Sequence, residues 1–295
     1  MPSDPPIIST PPDPRWKLLA RSFRPTLRYW METEVHVYSF SIAANVLLSF
    51  FPFLIVIQSI CHHLLGWKGA MNAISFALDD YFPGAVGSKV GVADFIQRNL
   101  PTQSLQLASI LLLLFTANGI FEPMEVALNR AWGIPKNRSF LRNQIVSFGL
   151  IFVSGGLALA STVLTGINLK HLGTDSLVSR IPEVVLFKMA ALPLSILMLF
   201  LIYWLLPNAR VGWRLVLPPA ILVGLALEAL KYISLLIWPL FGGKLQREYG
   251  PFYYSVTIIL WSFLGAMLVL AGAEWAARRA RRQSEAASPI APPDS

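Results

Sequence analysis

No disulfide can form within this chain, because Cys61 is its only cysteine. With no second thiol, neither a disulfide within the chain nor a C-x-x-C redox or metal motif exists. A lone cysteine inside an apolar run reads as a small packing residue. Charge is scarce too: only 14% of residues are Asp, Glu, Lys or Arg, where soluble globular proteins carry about a quarter. The chain has no HExxH and no GxxxxGK[ST], so the usual zinc-hydrolase and phosphate-loop signatures are missing. His62 and His63 are adjacent and point apart on a helix, while His36 and His171 have no Cys or His neighbour. The sequence therefore implies no metal, no cofactor and no catalytic residue. Sustained apolar-polar alternation is absent, which disfavours a β-barrel. No cleavable signal peptide is visible, since the first long apolar stretch begins near Phe40 and lacks a small-residue cleavage site.

What the chain does have is apolar length. Its 295 residues are 55% hydrophobic, with a mean hydropathy of +0.56. Six apolar segments run over about 40–65, 105–123, 143–167, 184–206, 215–241 and 251–277. Each is long enough to cross a hydrocarbon core about 30 Å thick at about 1.5 Å per residue. The expected architecture is an all-α polytopic membrane helical bundle with six transmembrane helices. Prolines within the spans, Pro52, Pro193, Pro218 and Pro219, predict kinks or breaks. Residues 1–14 are proline-rich and read as a disordered tail, residues 15–280 as a single membrane domain, and 281–295 as a second disordered tail. Between Arg15 and Tyr38, Trp16, Leu18, Leu19, Phe23, Leu27 and Trp30 interleave with basic residues. This predicts an amphipathic N-terminal segment on the membrane surface, broken or kinked at Pro25. Residues 66–104 read as two short amphipathic external helices joined at Pro83-Gly84.

The balance of charge is basic, 24 Lys and Arg against 16 Asp and Glu, with a pI near 9.8. In a soluble protein this would suggest nucleic acid. Here the cations lie between apolar segments, so the reading is a membrane protein without a nucleic-acid partner. One set of connections holds Arg15, Lys17, Arg21, Arg24, Arg28, Arg130, Lys136, Arg138, Arg142, Arg210, Arg214, Arg278, Arg279, Arg281 and Arg282. The opposite set holds only Lys68, Lys89, Arg98, Lys170, Arg180, Lys244 and Arg247. By the positive-inside rule both termini are cytoplasmic. The basic side is then expected to meet membrane lipids through their anionic head groups.

Ionisable residues inside the spans point most directly to function. Glu228 and Lys231 lie near the middle of the 215–241 segment, spaced to share one helical face. A charge at mid-bilayer costs on the order of 3 kcal/mol on insertion scales. The pair reads either as a buried polar site lining a substrate path or as an intrahelical ion pair that the bundle tolerates. Glu122, Glu125 and Glu274 fall at span ends, where a carboxylate is cheap and finds arginine. Asn45, Gln58 and Asn118 read as helix-joining polar residues, and Gly155-Gly156 as a close-packing face for a neighbouring helix.

Several stretches, taken in order, resemble the YihY/BrkB family of bacterial inner-membrane proteins. They are AANVLLSFFPFL with Ser49 and Pro52; GIFEPMEVALNRAWGI with Asn129, Arg130, Trp132 and Gly133; YWLLPNARVGWR with Tyr203, Pro207, Asn208, Trp213 and Arg214; Tyr249-Gly250; and LVLAGAEWAARR with Gly272 and Glu274. The resemblance covers about residues 30 to 280. Pro218-Pro219-Ala220 and the run Pro251 to Tyr254 depart from the family pattern. What the resemblance implies is the fold and a plasma-membrane location. Its members have been labelled ribonuclease BN, virulence or serum-resistance factors, and envelope-integrity proteins. Three functions follow for comparison: a non-enzymatic membrane protein that transports or positions a lipid or other hydrophobic or anionic solute; a non-transporting envelope-integrity protein; and a ribonuclease. The last needs clustered carboxylates or histidines for metal, and Glu32, Glu34, His36, Glu122 and Glu125 have no ligand spacing.

Overall fold

The computed structural model describes residues 25–79, 103–135, 139–171, 192–209 and 211–287. Among them the chain is helical throughout, with no strand. A short α1 covers residues 25–30. It is followed by α2 (Thr33–Asp79), α3 (Gln103–Ala131), α4 (Phe140–His171), α5 (Leu192–Leu205), α6 (Trp213–Tyr249) and α7 (Tyr253–Ala287). Four stretches are long and apolar enough to cross a membrane: Thr33–Ile57, Leu107–Ala131, Trp213–Ser234 and Tyr253–Gln283. Gln144–Leu157 and Leu192–Leu205 are shorter apolar helices. All six expected segments thus fall on helices wherever they are described, and the molecule is a helical membrane bundle.

Helix α2 is the hub, packing against α3, α4 and α7, while α6 packs on α7. Small residues set the closest approaches. A Cβ on Gly224 would lie 2.7 Å from Ile196 of α5, and one on Gly272 would overlap Val223 and stand 2.5 Å from the Tyr203 hydroxyl. Packing by small residues suits a bilayer, where lipid tails are as apolar as leucine and only close contact favours association. The core at these crossings contains Leu128, Tyr203, Leu206, Val216, Val223 and Leu270. Outward, Phe115, Leu236 and Leu240 are each more than three-quarters exposed. A belt of such residues fits lipid and not water.

Two helices end in glycine turns. Helix α3 ends with Gly133 at φ +69. The Gly133 N–H donates to Arg130 O at 3.0 Å and the Ile134 N–H to Asn129 O at 2.8 Å, the paired bonds of a Schellman cap. Helix α6 ends at Gly250, φ +51, whose N–H donates to Gln246 O. A short 3-10 turn, Gly250–Phe252, then leads into α7.

Several boundaries differ from the expectation. The prolines do not break the helices: Pro52 lies inside α2, and Pro218 and Pro219 inside α6. Helix α2 continues to Asp79 without a separate helix starting after residue 65, because no proline occurs between Pro52 and Pro83. Residues 33–38 belong to α2 and not to a surface segment, and Pro25 opens α1, where its missing N–H is harmless. Helix α7 runs on through 281–287, which are good helix formers with the next proline only at 289. The tail 1–14, the Pro83-Gly84 turn and residues 288–295 lie outside the described residues. At Gly155 and Gly156 a Cβ meets nothing within 4 Å among the described residues.

Candidate functional site

Glu228 and Lys231 sit one turn apart on α6, and Lys231 Nζ lies 2.7 Å from Glu228 Oε1. The lysine side chain is 11% exposed and the carboxylate 29%. Lys231 Nζ also stands 5.6 Å from the Tyr232 ring centroid, within cation–π range. Both partners come from one helix, so the pair forms as soon as α6 does. Farther along the same helix, Ser234, Ile237, Trp238, Phe241, Gly242 and Leu245 face Thr257, Leu260 and Trp261 of α7 across a cavity of about 270 Å³. Its lining exposes only apolar surface.

The motif residues serve mainly to join elements. Asn129, at the end of α3, donates from Nδ2 to Glu125 Oε1 at 3.3 Å and accepts the Asn208 N–H on Oδ1 at 2.7 Å. The asparagine so ties the α3 terminus to the α5–α6 connection, where Pro207 is buried. Glu125, expected at interface depth, is only 2% exposed. Its burial is tolerated because this bond answers the carboxylate. Tyr203 donates to Val269 O at 2.7 Å, beside the flat surface that Gly272 offers. Ser49 bonds back to Val46 O at 3.0 Å one turn before Pro52. Trp132 packs half-buried against the core. Tyr249 and Gly250 form the turn at the opposite end of α6 and meet none of these residues. Asn45, on α2, donates to Ser41 O at 2.9 Å and lies against Gly119 of α3. Gln58 lies outside the described side chains.

A second polar locus goes beyond the sequence expectations. Where α1, the start of α2, the end of α3 and the end of α7 converge, a cavity of about 180 Å³ is lined by Tyr29, Glu32, Glu34, Tyr38, Arg130, Glu274 and Arg281 among others. Around it Arg130 pairs with Glu34, and Glu274 Oε1 with Arg278 Nε at 2.5 Å. Arg281 donates to Ala131 O at 3.2 Å, Arg278 to Thr26 Oγ1, and Trp30 Nε1 to Met267 O at 3.1 Å. Burial, and then the carboxylates Glu274 and Glu32, hold the Tyr29 phenol above the usual tyrosine range. It is therefore a neutral group at any physiological pH. The sequence signal for this locus was present in Glu32, Glu34, Glu274 and the span-end arginines, but their separation along the chain hid it. Among the described residues no group of three His, Cys, Asp or Glu is placed to hold a metal ion.

Comparison with known proteins agrees with the bundle. A membrane protein of Chromohalobacter salexigens named UPF0761 is 26% identical over 278 residues, covering 90% of this chain and 65% of its own length. A protein of the same name from Pseudoalteromonas translucida is 25% identical, covering 68% of this chain and 73% of its own. One from Pseudomonas aeruginosa is 28% identical, covering 69% and 53%. The chain thus spans less than two thirds of the Chromohalobacter relative. No solved structure matches significantly. The family model described as Virulence factor BrkB matches residues 26–294, and the chain belongs to that YihY/BrkB family.

Proposed function

We propose that this is a non-enzymatic integral protein of the bacterial inner membrane, both termini cytoplasmic, that transports or positions a lipid or another hydrophobic or anionic solute. The observation that carries the reading is the Glu228–Lys231 pair. A bundle that only packs gains little from two charges inside a span, here toward the end of Trp213–Ser234, since well-packed apolar residues in place of a buried pair are often neutral or stabilising. A pair retained on the same helix as a wholly apolar cavity suits a path for a solute with a polar and an apolar part. The basic end of the bundle would meet anionic lipid head groups on the cytoplasmic side, with no nucleic acid involved. None of the relatives above carries an enzymatic name.

The alternative is an envelope-integrity protein that transports nothing. It is favoured by the closeness of the pair: Glu228 and the Tyr232 ring answer Lys231 within one helix, which a purely structural role would also give. Complementation of a deletion strain separates the two. Glu228→Gln or Lys231→Met alone leaves an uncompensated charge and should cost about 3–5 kcal/mol, visible as reduced membrane abundance. The double variant should recover abundance. If it is abundant yet inactive, the pair belongs to a working site. If it is abundant and complements fully, the transport reading is lost.

A further inference from the structure

We infer that the cavity at the arginine-rich end of the bundle is a binding site for a primary ammonium joined to a phosphate, the ethanolamine-phosphate head group of a membrane lipid. The argument begins at Glu274. Its Oε1 lies 2.5 Å from Arg278 Nε in an ion pair without hydrogen-bond alignment, and its Oε2 is buried and has no hydrogen-bond partner among the described residues. A buried carboxylate oxygen without a donor is costly, and an ionised carboxylate can only accept. What completes it must bring an N–H or O–H. Glu32 lines the same cavity, so two carboxylates share the lining that a cation would meet.

The cavity is not simply acidic. Arg130 and Arg281 line it as well, and Arg279 and Arg282 follow on the exposed end of α7. Arginines on the wall oppose a bare metal ion, and no metal-ligand group is present among the described residues. A lining that holds carboxylates, with Glu274 the buried one, together with exposed guanidiniums matches a zwitterion whose ammonium meets Glu274 and whose phosphate meets the arginines. Guanidinium and phosphate make strong charge-assisted bonds. The volume of about 180 Å³ equals roughly six waters of liquid, enough for a small head group and too little for a nucleotide or a drug-sized ligand. The walls are the ends of spans Thr33–Ile57, Leu107–Ala131 and Tyr253–Gln283, so the site lies at interface depth. Leu27, Met31, Val37 and Phe40 are exposed on the same stretch of α1 and α2 and offer an apolar surface for acyl chains.

Nothing here rests on Glu228 or Lys231, and the test touches neither. The full chain is equilibrated with vesicles of equal phosphatidylethanolamine, phosphatidylcholine and phosphatidylglycerol, and the lipids it retains are counted by native mass spectrometry. Choline is the sharp control, because its quaternary nitrogen has no N–H for Glu274 Oε2. Ethanolamine lipid should be retained about tenfold over choline lipid, the scale of one charge-assisted hydrogen bond. Glu274→Gln should abolish that preference and Glu32→Gln should weaken it. Equal retention of ethanolamine and choline lipids overturns the proposal, as does preference for the anionic lipid. Free O-phosphorylethanolamine, added at the lipid's own concentration, should fail to displace it; equal displacement would make the ligand a soluble metabolite and overturn the lipid assignment. Should Glu274→Gln not be recovered folded, the exposed Glu32→Gln decides, and an unchanged preference there also overturns it.

Discussion

At the scale of single residues, the bundle depends on where a side chain is missing. Gly272 lets α7 lie against the Tyr203 hydroxyl and Val223, and a Cβ there would overlap both. Tyr203 cannot yield easily, since it is 1% exposed and bonded to Val269 O. Gly272→Ala should therefore destabilise by about 1–3 kcal/mol, the usual cost of overpacking a tight core. Gly155→Ala is the control: a Cβ there meets nothing among the described residues, and replacing a mid-helix glycine should gain up to about 1 kcal/mol. Thermal unfolding of the two purified variants checks both signs. Asn129 is the polar counterpart. Asn129→Leu removes the bonds to Glu125 and to the Asn208 N–H, both buried or partly buried, and should cost about 1–3 kcal/mol. Asn208→Ala keeps the backbone N–H that makes the second bond and should cost far less. A similar loss in both variants would mean that the Asn208 side chain, and not its backbone, holds the α3 terminus.

At the scale of elements, the spans were legible because an apolar run of about 20 residues matches the thickness of a bilayer core and little else in protein structure. Their ends were not. Helices α2 and α7 outrun their apolar segments because the residues that follow are competent helix formers with no proline, and hydropathy carries no information about that. Trp132-Gly133 and Tyr249-Gly250 were singled out by resemblance, and the structure gives them a local reason: two glycines at positive φ that end α3 and α6. The Glu228–Lys231 pair was legible because it is local to one helix. The cavity around Glu274 was not, because its walls run from Tyr29 to Arg281 across four elements. The short α1 shows how such a wall is held. It is fixed by Trp30 Nε1 to Met267 O and by Arg278 to Thr26, both contacts to α7. A Trp30→Phe, Thr26→Val double variant keeps the apolar bulk and loses both bonds, each worth about 0.5–3 kcal/mol. Amide exchange at Met31 and Glu32, whose N–H groups bond to Leu27 O and Tyr29 O, should then quicken, reporting local opening of α1 while α7 remains protected. Equal protection in wild type and variant would show that α1 is held by its apolar face alone.

For the whole molecule, the question is which way it lies in the membrane. The positive-inside rule counts cations near span ends, and a count has meaning only if the counted residues share one end of the fold. The contacts show that many do. Arg130 reaches Glu34, Arg281 reaches Ala131 O, Arg278 reaches Thr26, and Asn208 meets Asn129. The start of α2, the ends of α3 and α7, and the α5–α6 connection therefore lie together, with Arg28, Arg130, Arg278, Arg279, Arg281 and Arg282 around them. The turn at Gly250 lies at the far end of α6 and α7, with Lys244 and Arg247 shortly before it in the chain. An asymmetry of this kind favours translocation of the poorer side during insertion, so the arginine-rich end is expected in the cytoplasm. A fluorescent protein fused after Ser295 should mature, and an alkaline phosphatase inserted at position 87 should be active. Exchanging the two reporters should silence both. Activity of the phosphatase at Ser295 would put the arginine-rich end outside. The cavity around Glu274 would then face the outer leaflet, and its ethanolamine lipid would have to come from there.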